Sequence, residues 1–415
     1  MDSISKLLIH FLGVSLFQDE QTIKQSVQKQ SMSEDVLVAL FDEARKQTVF
    51  PIVYYTLREE AKRVLNEENR EKYNRLFLSQ YSASVRSMKE HLDLSMLLSS
   101  HGVKHVIIKG QTSASYYPNP KLRPSGDVDF LIEKNDRTYS NDILQEAGYV
   151  FVKESKKHDF HWTYEKSNSS IELHWDIPGL PEDSIVLRQL VSSVFEESNN
   201  LVLLDGCIKA PSLFHHGLIL LLHMLSHLTS TGVGLRHLCD WLVFVEKIQD
   251  DEFLYIYEDA LKQSGLWVFA QVVTQIGVKF FYCRTHSWCS NIDEELCERI
   301  LDEFLLSGNF GLNDDGSRKL QTKMIRNTRT RQINGKSILS TMISNVNSRA
   351  KKKYPRMKSY PFLLPIGWAG VGIEYMKWSR SKGNKSLNRK IYLEARNRQH
   401  LYEQLKLFDT NQNDK

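Results

Sequence analysis

Between Gly126 and Ile132 the chain reads GDVDFLI, two aspartates two residues apart in a run that is otherwise apolar. That pattern restricts the fold. Val128, Phe130 and Ile132 alternate with the acids as in a strand with one buried face, and side chains at i and i+2 leave the same face roughly 6–7 Å apart. Two like charges so placed repel each other unless water or a cation screens them. A hard divalent cation resolves the repulsion, and Mg2+ takes oxygen ligands of this kind. A second alternating run, SIELHW over Ser170–Trp175, turns Ile171 and Leu173 one way and Glu172 and His174 the other. Set beside the aspartate strand, it brings together three carboxylates, the set that two metal ions use in an in-line phosphoryl or nucleotidyl transfer.

Val106-Ile107-Ile108 is a third β-branched run, closed by Gly110. There a backbone without a Cβ can approach a phosphate oxygen, and Lys109, Thr112 and Ser113 add donors. Gly148–Lys153 and Phe160–Glu165 read as further strands, with Asp136–Ala147 as a crossover helix. On either side the apolar period becomes helical. Val36–Leu65 is interrupted by Pro51, Glu71–Ser99 stops at His101-Gly102, and residues 210–305 include the strongly apolar Leu213–Leu228. The pattern predicts an α+β protein, a small mixed β-sheet core over 101–205 embedded between helical segments at 1–100 and 206–308. A linker (Asn309–Lys336), a short helix, a Pro-rich segment and a final basic helix near Ser386–Phe408 complete 309–415.

Composition narrows the class. With 41% hydrophobic residues, 36 Phe and Tyr, and 7 Trp, the 415-residue chain has ample surface to bury, which excludes disorder of the whole. Five scattered cysteines without a CxxC pair argue against a disulfide framework or a closed zinc site and point to a reducing, cytoplasmic setting. The N-terminus reads as an amphipathic helix, and no apolar run is long enough to span a membrane. The formal charge of +4 hides an asymmetry. Residues 316–415 carry 23 Lys and Arg against 5 Asp and Glu, whereas the first 315 are net acidic. A basic end of this kind, with Lys351-Lys352-Lys353 at its centre, suits an anionic partner, docking on the acidic body or simple solvation.

Other polar residues admit more than one reading each. Arg123, four residues before Asp127, pairs with it or clamps a phosphate. His174 orients a ligand, contacts the acceptor, acts as a general base or serves structure. His223 and His227 share a helix face like half of a zinc helix, but no HExxH glutamate accompanies them. A polar seam of His223, His227, Arg236 and Asp240 against the cleft is the preferred reading, with Arg236 and Asp240 as an i,i+4 ion pair.

A strand ending in glycine, then GDVDF, then a strand bearing a carboxylate resembles the nucleotidyltransferase superfamily related to DNA polymerase β. More closely, IIKGQTSASYYPNPKLRPSGDVDFLI, IELHWDI and LLHMLSHLTSTGVGLRHLCDWLVF together resemble the bacterial "uncharacterised nucleotidyltransferase" family, over about residues 30–260. The resemblance implies transfer of a nucleotidyl group from an NTP, with Mg2+ or Mn2+, to an unidentified acceptor such as a peptide, saccharide or small molecule. Asp127, Asp129 and Glu172 would be catalytic and metal-binding. Lys109, Gly110, Gln111, Thr112 and Arg123 would hold the nucleotide, and His174 would orient a ligand or contact the acceptor. Gln111 departs from the Ser or Gly usual after the glycine, which bears on triphosphate binding. The rival readings are a catalytically silent binding module of the same fold, and an enzyme acting on nucleic-acid ends.

Overall fold

The computed structural model describes residues 1–308 except 125, 154, 156–159, 167–168, 182–183 and 230–231, together with 347, 350, 354, 364–370 and 400–407. The linker at 309–336 and the lysine cluster at 351–353 lie outside the described residues, as does most of the final basic helix.

Five helices open the chain: α1 (Ser3–Phe17), α2 (Glu20–Lys29), α3 (Glu34–Lys46), α4 (Phe50–Val64) and α5 (Glu67–Ser100). Four of their starts, all but that of α4, follow side-chain caps. Asp2, Asp19 and Asn66 accept the backbone N–H three residues on, satisfying donors that have no partner inside the helix. The break between α3 and α4 falls at Thr48, whose φ is +54°, and Pro51 sits in the first turn of α4, where its missing N–H costs nothing.

The sheet has five strands in the order β1-β2-β5-β4-β3: β1 (His105–Ile107), β2 (Val128–Ile132), β3 (Val150–Phe151), β4 (His161–Lys166) and β5 (Ser169–His174). β2 and β5 run parallel and the other pairs antiparallel, so the sheet is mixed and the fold is α+β. The short α6 (Gln111–Ala114) follows β1, and α7 (Arg137–Glu146) follows β2. The third strand is shorter than the run Gly148–Lys153 suggested. It ends at Phe151 because Lys153 turns away after Val152 closes the last pairing onto Thr163.

The two faces of the sheet have different neighbours. Val128, Phe130, Ile132, Ile171 and Leu173 pack with Leu92 and Leu98 of α5 and Ile143 and Leu144 of α7. A hairpin that the sequence pattern did not suggest, β6 (Asn199–Leu203) and β7 (Gly206–Ala210), closes this layer through Leu203 and Ile208. The opposite face carries Asp129, Leu131, Glu172 and His174 toward the helices that follow α8 (Ile185–Leu190). These are α9 (Leu213–Leu228), α10 (Leu235–Val245), α11 (Asp250–Ser264), α12 (Trp267–Phe280) and α13 (Glu294–Ser307). They share one apolar core with α1, α3 and α4, running from Leu8 and Phe41 to Trp241, Phe269 and Phe304. No helix among the described residues is long and apolar enough to cross a membrane.

Gly13 marks where the ends of this core meet. A Cβ there would lie 2.5 Å from the Phe281 carbonyl oxygen, backbone that cannot yield cheaply. Gly13→Ala should therefore lower unfolding free energy by about 1–3 kcal/mol through overpacking, where an exposed helical glycine would gain up to about 1 kcal/mol from the same change. Urea unfolding checks the sign.

His216 is fully buried between Tyr116 (ring centroids 5.3 Å, nearly parallel) and Phe244, and burial pushes its imidazole down to about 3. The unfolded chain takes up a proton near 6.5 that the folded chain refuses. This contribution to stability is present above that value and is lost progressively as pH falls toward 3. His216→Phe should flatten the fall in thermal midpoint below pH 6.5 relative to the wild type.

Candidate functional site

A cavity of about 690 Å3 separates the polar face of the sheet from α9 and α10, and its walls hold Lys109, Gly110, Arg123, Asp127, Asp129, Glu172 and His174. Parallel pairing sets the key juxtaposition. Asp129 of β2 is in register with Glu172 of β5, so both carboxylates leave the same face side by side. Asp127 precedes β2 and is exposed at the rim of the cavity.

Lys109 and His174 answer this negative charge from within. Lys109 Nζ donates to Asp129 Oδ1 at 2.8 Å, and His174 Nε2 lies 3.1 Å from both Asp129 Oδ1 and Glu172 Oε2. Burial raises the Asp129 carboxyl, but Lys109 and His174 outweigh it and hold that group well below the usual carboxylate range. At Glu172 the His174 bond likewise overcomes burial and the Asp129 charge, so the carboxyl is lowered. His174 is itself raised, because its two acidic partners outweigh desolvation. Asp127 goes the other way. Partial desolvation and the charges of Glu172 and Asp129 push it up. Three acids in one cleft thus titrate apart, a pattern found where carboxylates have work to do.

The turn after β1 is built differently from its reading in the sequence. Gly110 has φ +60° and ψ −116°, and a Cβ on it would overlap His91 Nε2, so glycine is required on both counts. Gln111 and Thr112 are buried behind the cavity wall, and the Thr112 hydroxyl donates to the Ile107 carbonyl at 2.6 Å. Lys109 faces the cavity and reaches His223 Nε2 at 3.2 Å as well as Asp129.

Arg123 pairs with neither Asp127 nor a helical neighbour of its own. Its Nε and Nη2 donate to the two oxygens of Asp240 at 2.7 and 2.8 Å, and the Tyr117 hydroxyl donates to the same carboxylate at 2.7 Å. All three are buried. Asp240 is therefore taken by Arg123, and the i,i+4 pair expected with Arg236 does not form. Arg236 lines the cavity, and among the described residues it donates no hydrogen bond and makes no ion pair.

The α9–α10 wall also holds His223, His227 and His237, whose ligand nitrogens lie within 4.8 Å of one another. Burial, with the nearby Lys109 and Arg236 charges, pushes all three imidazoles down, His227 to about 4. His223 and His227 were visible in sequence as an i,i+4 pair. His237 was not, because it sits on the next helix and only the α9–α10 packing brings it in.

A mixed sheet thus presents a pair of carboxylates to a cleft that a helical layer closes. Residues 37–281 match the family described as uncharacterised nucleotidyltransferase, and the chain belongs to it. No curated protein matches.

Arg123→Met should strand a buried carboxylate and lower stability by about 3–5 kcal/mol. Arg123→Met with Asp240→Leu should recover most of that loss, since both charges leave together. Urea titrations of the three variants measure it, and equal losses in the single and double variants would refute the pairing.

Proposed function

We propose that the protein is a divalent-cation-dependent nucleotidyltransferase that moves a nucleotidyl group from an NTP to an acceptor hydroxyl. The observation that carries this reading is the in-register pair Asp129–Glu172, joined at the cavity rim by Asp127. The three carboxylates offer oxygen donors of the kind Mg2+ takes, and burial together with the charges of Glu172 and Asp129 raises the Asp127 carboxyl. Asp127, Asp129 and Glu172 would hold the metal, which when bound neutralises phosphate charge and fixes the in-line geometry.

The remaining chemistry belongs to side chains. Lys109 and Arg236 project into the cavity as cations suited to polyphosphate oxygens. His174 fixes the separation of Asp129 and Glu172 by bonding both, which makes it a positioning residue. Glu172, the less buried of that pair, would accept the proton of the acceptor hydroxyl. Gly110 keeps the turn after β1 open at the cavity, and Arg123 braces the wall through Asp240. Five unpaired cysteines support a reducing, cytoplasmic location.

Calorimetric titration of each NTP, with and without Mg2+, tests the reading on the wild type and on Asp127→Ala/Asp129→Ala. One NTP should bind only with Mg2+, and the double variant should weaken that binding at least ~100-fold, since two of three anionic metal ligands are gone. One feature favours a rival: Lys109 already neutralises Asp129 at 2.8 Å. If no NTP binds with or without metal, Lys109 stands permanently in place of the cation and the protein is a silent binding module.

A further inference from the structure

The histidines on the α9–α10 wall have no part in the carboxylate chemistry across the cavity, and their arrangement calls for its own explanation. His223 and His227 approach Nε2 to Nε2 at 3.0 Å, and the three rings form a near-equilateral triangle with centroids 4.5, 4.9 and 5.1 Å apart. His237 is 5% exposed, and neither of its ring nitrogens has a hydrogen-bond partner among the described residues. An imidazole buried with both nitrogens unsatisfied is costly, and it is rare unless something absent from the polypeptide completes it. His223 and His227, whose rings pack against it, face each other and Lys109.

We propose that His223, His227 and His237 form a three-histidine site for a borderline transition-metal ion of the Zn2+ class, distinct from the oxygen-ligand site at Asp127, Asp129 and Glu172. Imidazole nitrogen suits Zn2+, Co2+, Ni2+ or Cu2+ and is a poor ligand for Mg2+, so the two walls of the cavity select different ions. Zn–N bonds of roughly 2.0–2.1 Å place tetrahedral ligands about 3.3 Å apart. The observed separations, 3.0 Å for one pair and no more than 4.8 Å for any, need only small ring rotations to meet that spacing. Two ligands one turn apart on α9 and a third from α10 leave the fourth position toward the cavity, which all three residues line. The ion displaces the proton shared between His223 and His227 and the ammonium of Lys109, which lies 3.2 Å from His223 Nε2 and keeps its bond to Asp129.

Cobalt is the probe. The full chain, stripped with a chelator and titrated with Co2+, should bind one equivalent with the intense visible bands of a low-coordinate, nitrogen-rich site. His227→Gln and His237→Gln should each weaken this binding at least ~10-fold, as loss of a metal ligand does at minimum. Asp127→Asn/Asp129→Asn should leave the bands intact, which separates this site from the carboxylate one whatever the outcome of the nucleotide titrations. Bands that survive both histidine variants, or that vanish with the aspartates, overturn the proposal. X-ray absorption at the zinc edge of the Zn2+-loaded wild type needs no variant to fold. Three imidazoles per zinc are expected, and fewer overturn the assignment.

Discussion

The site depends on one pairing choice, the parallel registration of β2 with β5. Antiparallel neighbours could carry acids too, but here Asp129 and Glu172 are held abreast by the ladder itself. The repulsion this creates is met locally by Lys109 and His174, both of which reach Asp129. Backbone geometry thus fixes the charges, and side chains of neighbouring elements make the arrangement tolerable. The apolar half of each strand does the complementary work. Val128, Phe130, Ile171 and Leu173 anchor the sheet on α5 and α7, so the acids have no freedom to swing apart.

The opposite wall is fastened by a buried ion pair. Arg123, just before the aspartates, grips Asp240 on α10 with both oxygens engaged, and Tyr117 adds a third bond. Such a pair contributes little net stability against an apolar replacement, but breaking it is expensive, so it fixes a geometry. It sets where α10 stands relative to the Asp127 loop. With that, the distances from Arg236 and His237 to the carboxylates are set as well.

Local pattern was legible and distant pairing was not. Alternation gave β2 its bounds, Val128–Ile132, and placed Glu172 and His174 on the polar face of β5, because period-2 burial is a property of consecutive residues. The hairpin β6–β7 escaped although Asp205-Gly206 is a turn signal, since Val202 is exposed and the strands are half polar. Arg123 could not be matched to Asp240, 117 positions away, nor His237 to His223 and His227, because spacing says nothing of how two helices cross. Thr112 looked like a phosphate donor on chemistry alone, and only the turn geometry turns its hydroxyl back to Ile107. For Arg123 and Thr112 the residue type was noticed and its partner was not.

The shared core of α1, α3 and α4 with α9–α13 has a consequence for how the chain reaches its native state. These two sets of helices are separated by the sheet, the hairpin and α5, well over a hundred residues of sequence. Closing so long a loop carries an entropic cost before any contact rewards it. A sheet that forms first shortens the loop, since α5 leads into β1 and the hairpin leads out toward α9 from the same layer. The sheet core therefore doubles as the clasp that lets the helical core assemble. Contacts between residues so distant in sequence place the protein among slow folders, in which early helices wait, partly exposed, for the second half of their core to be synthesised.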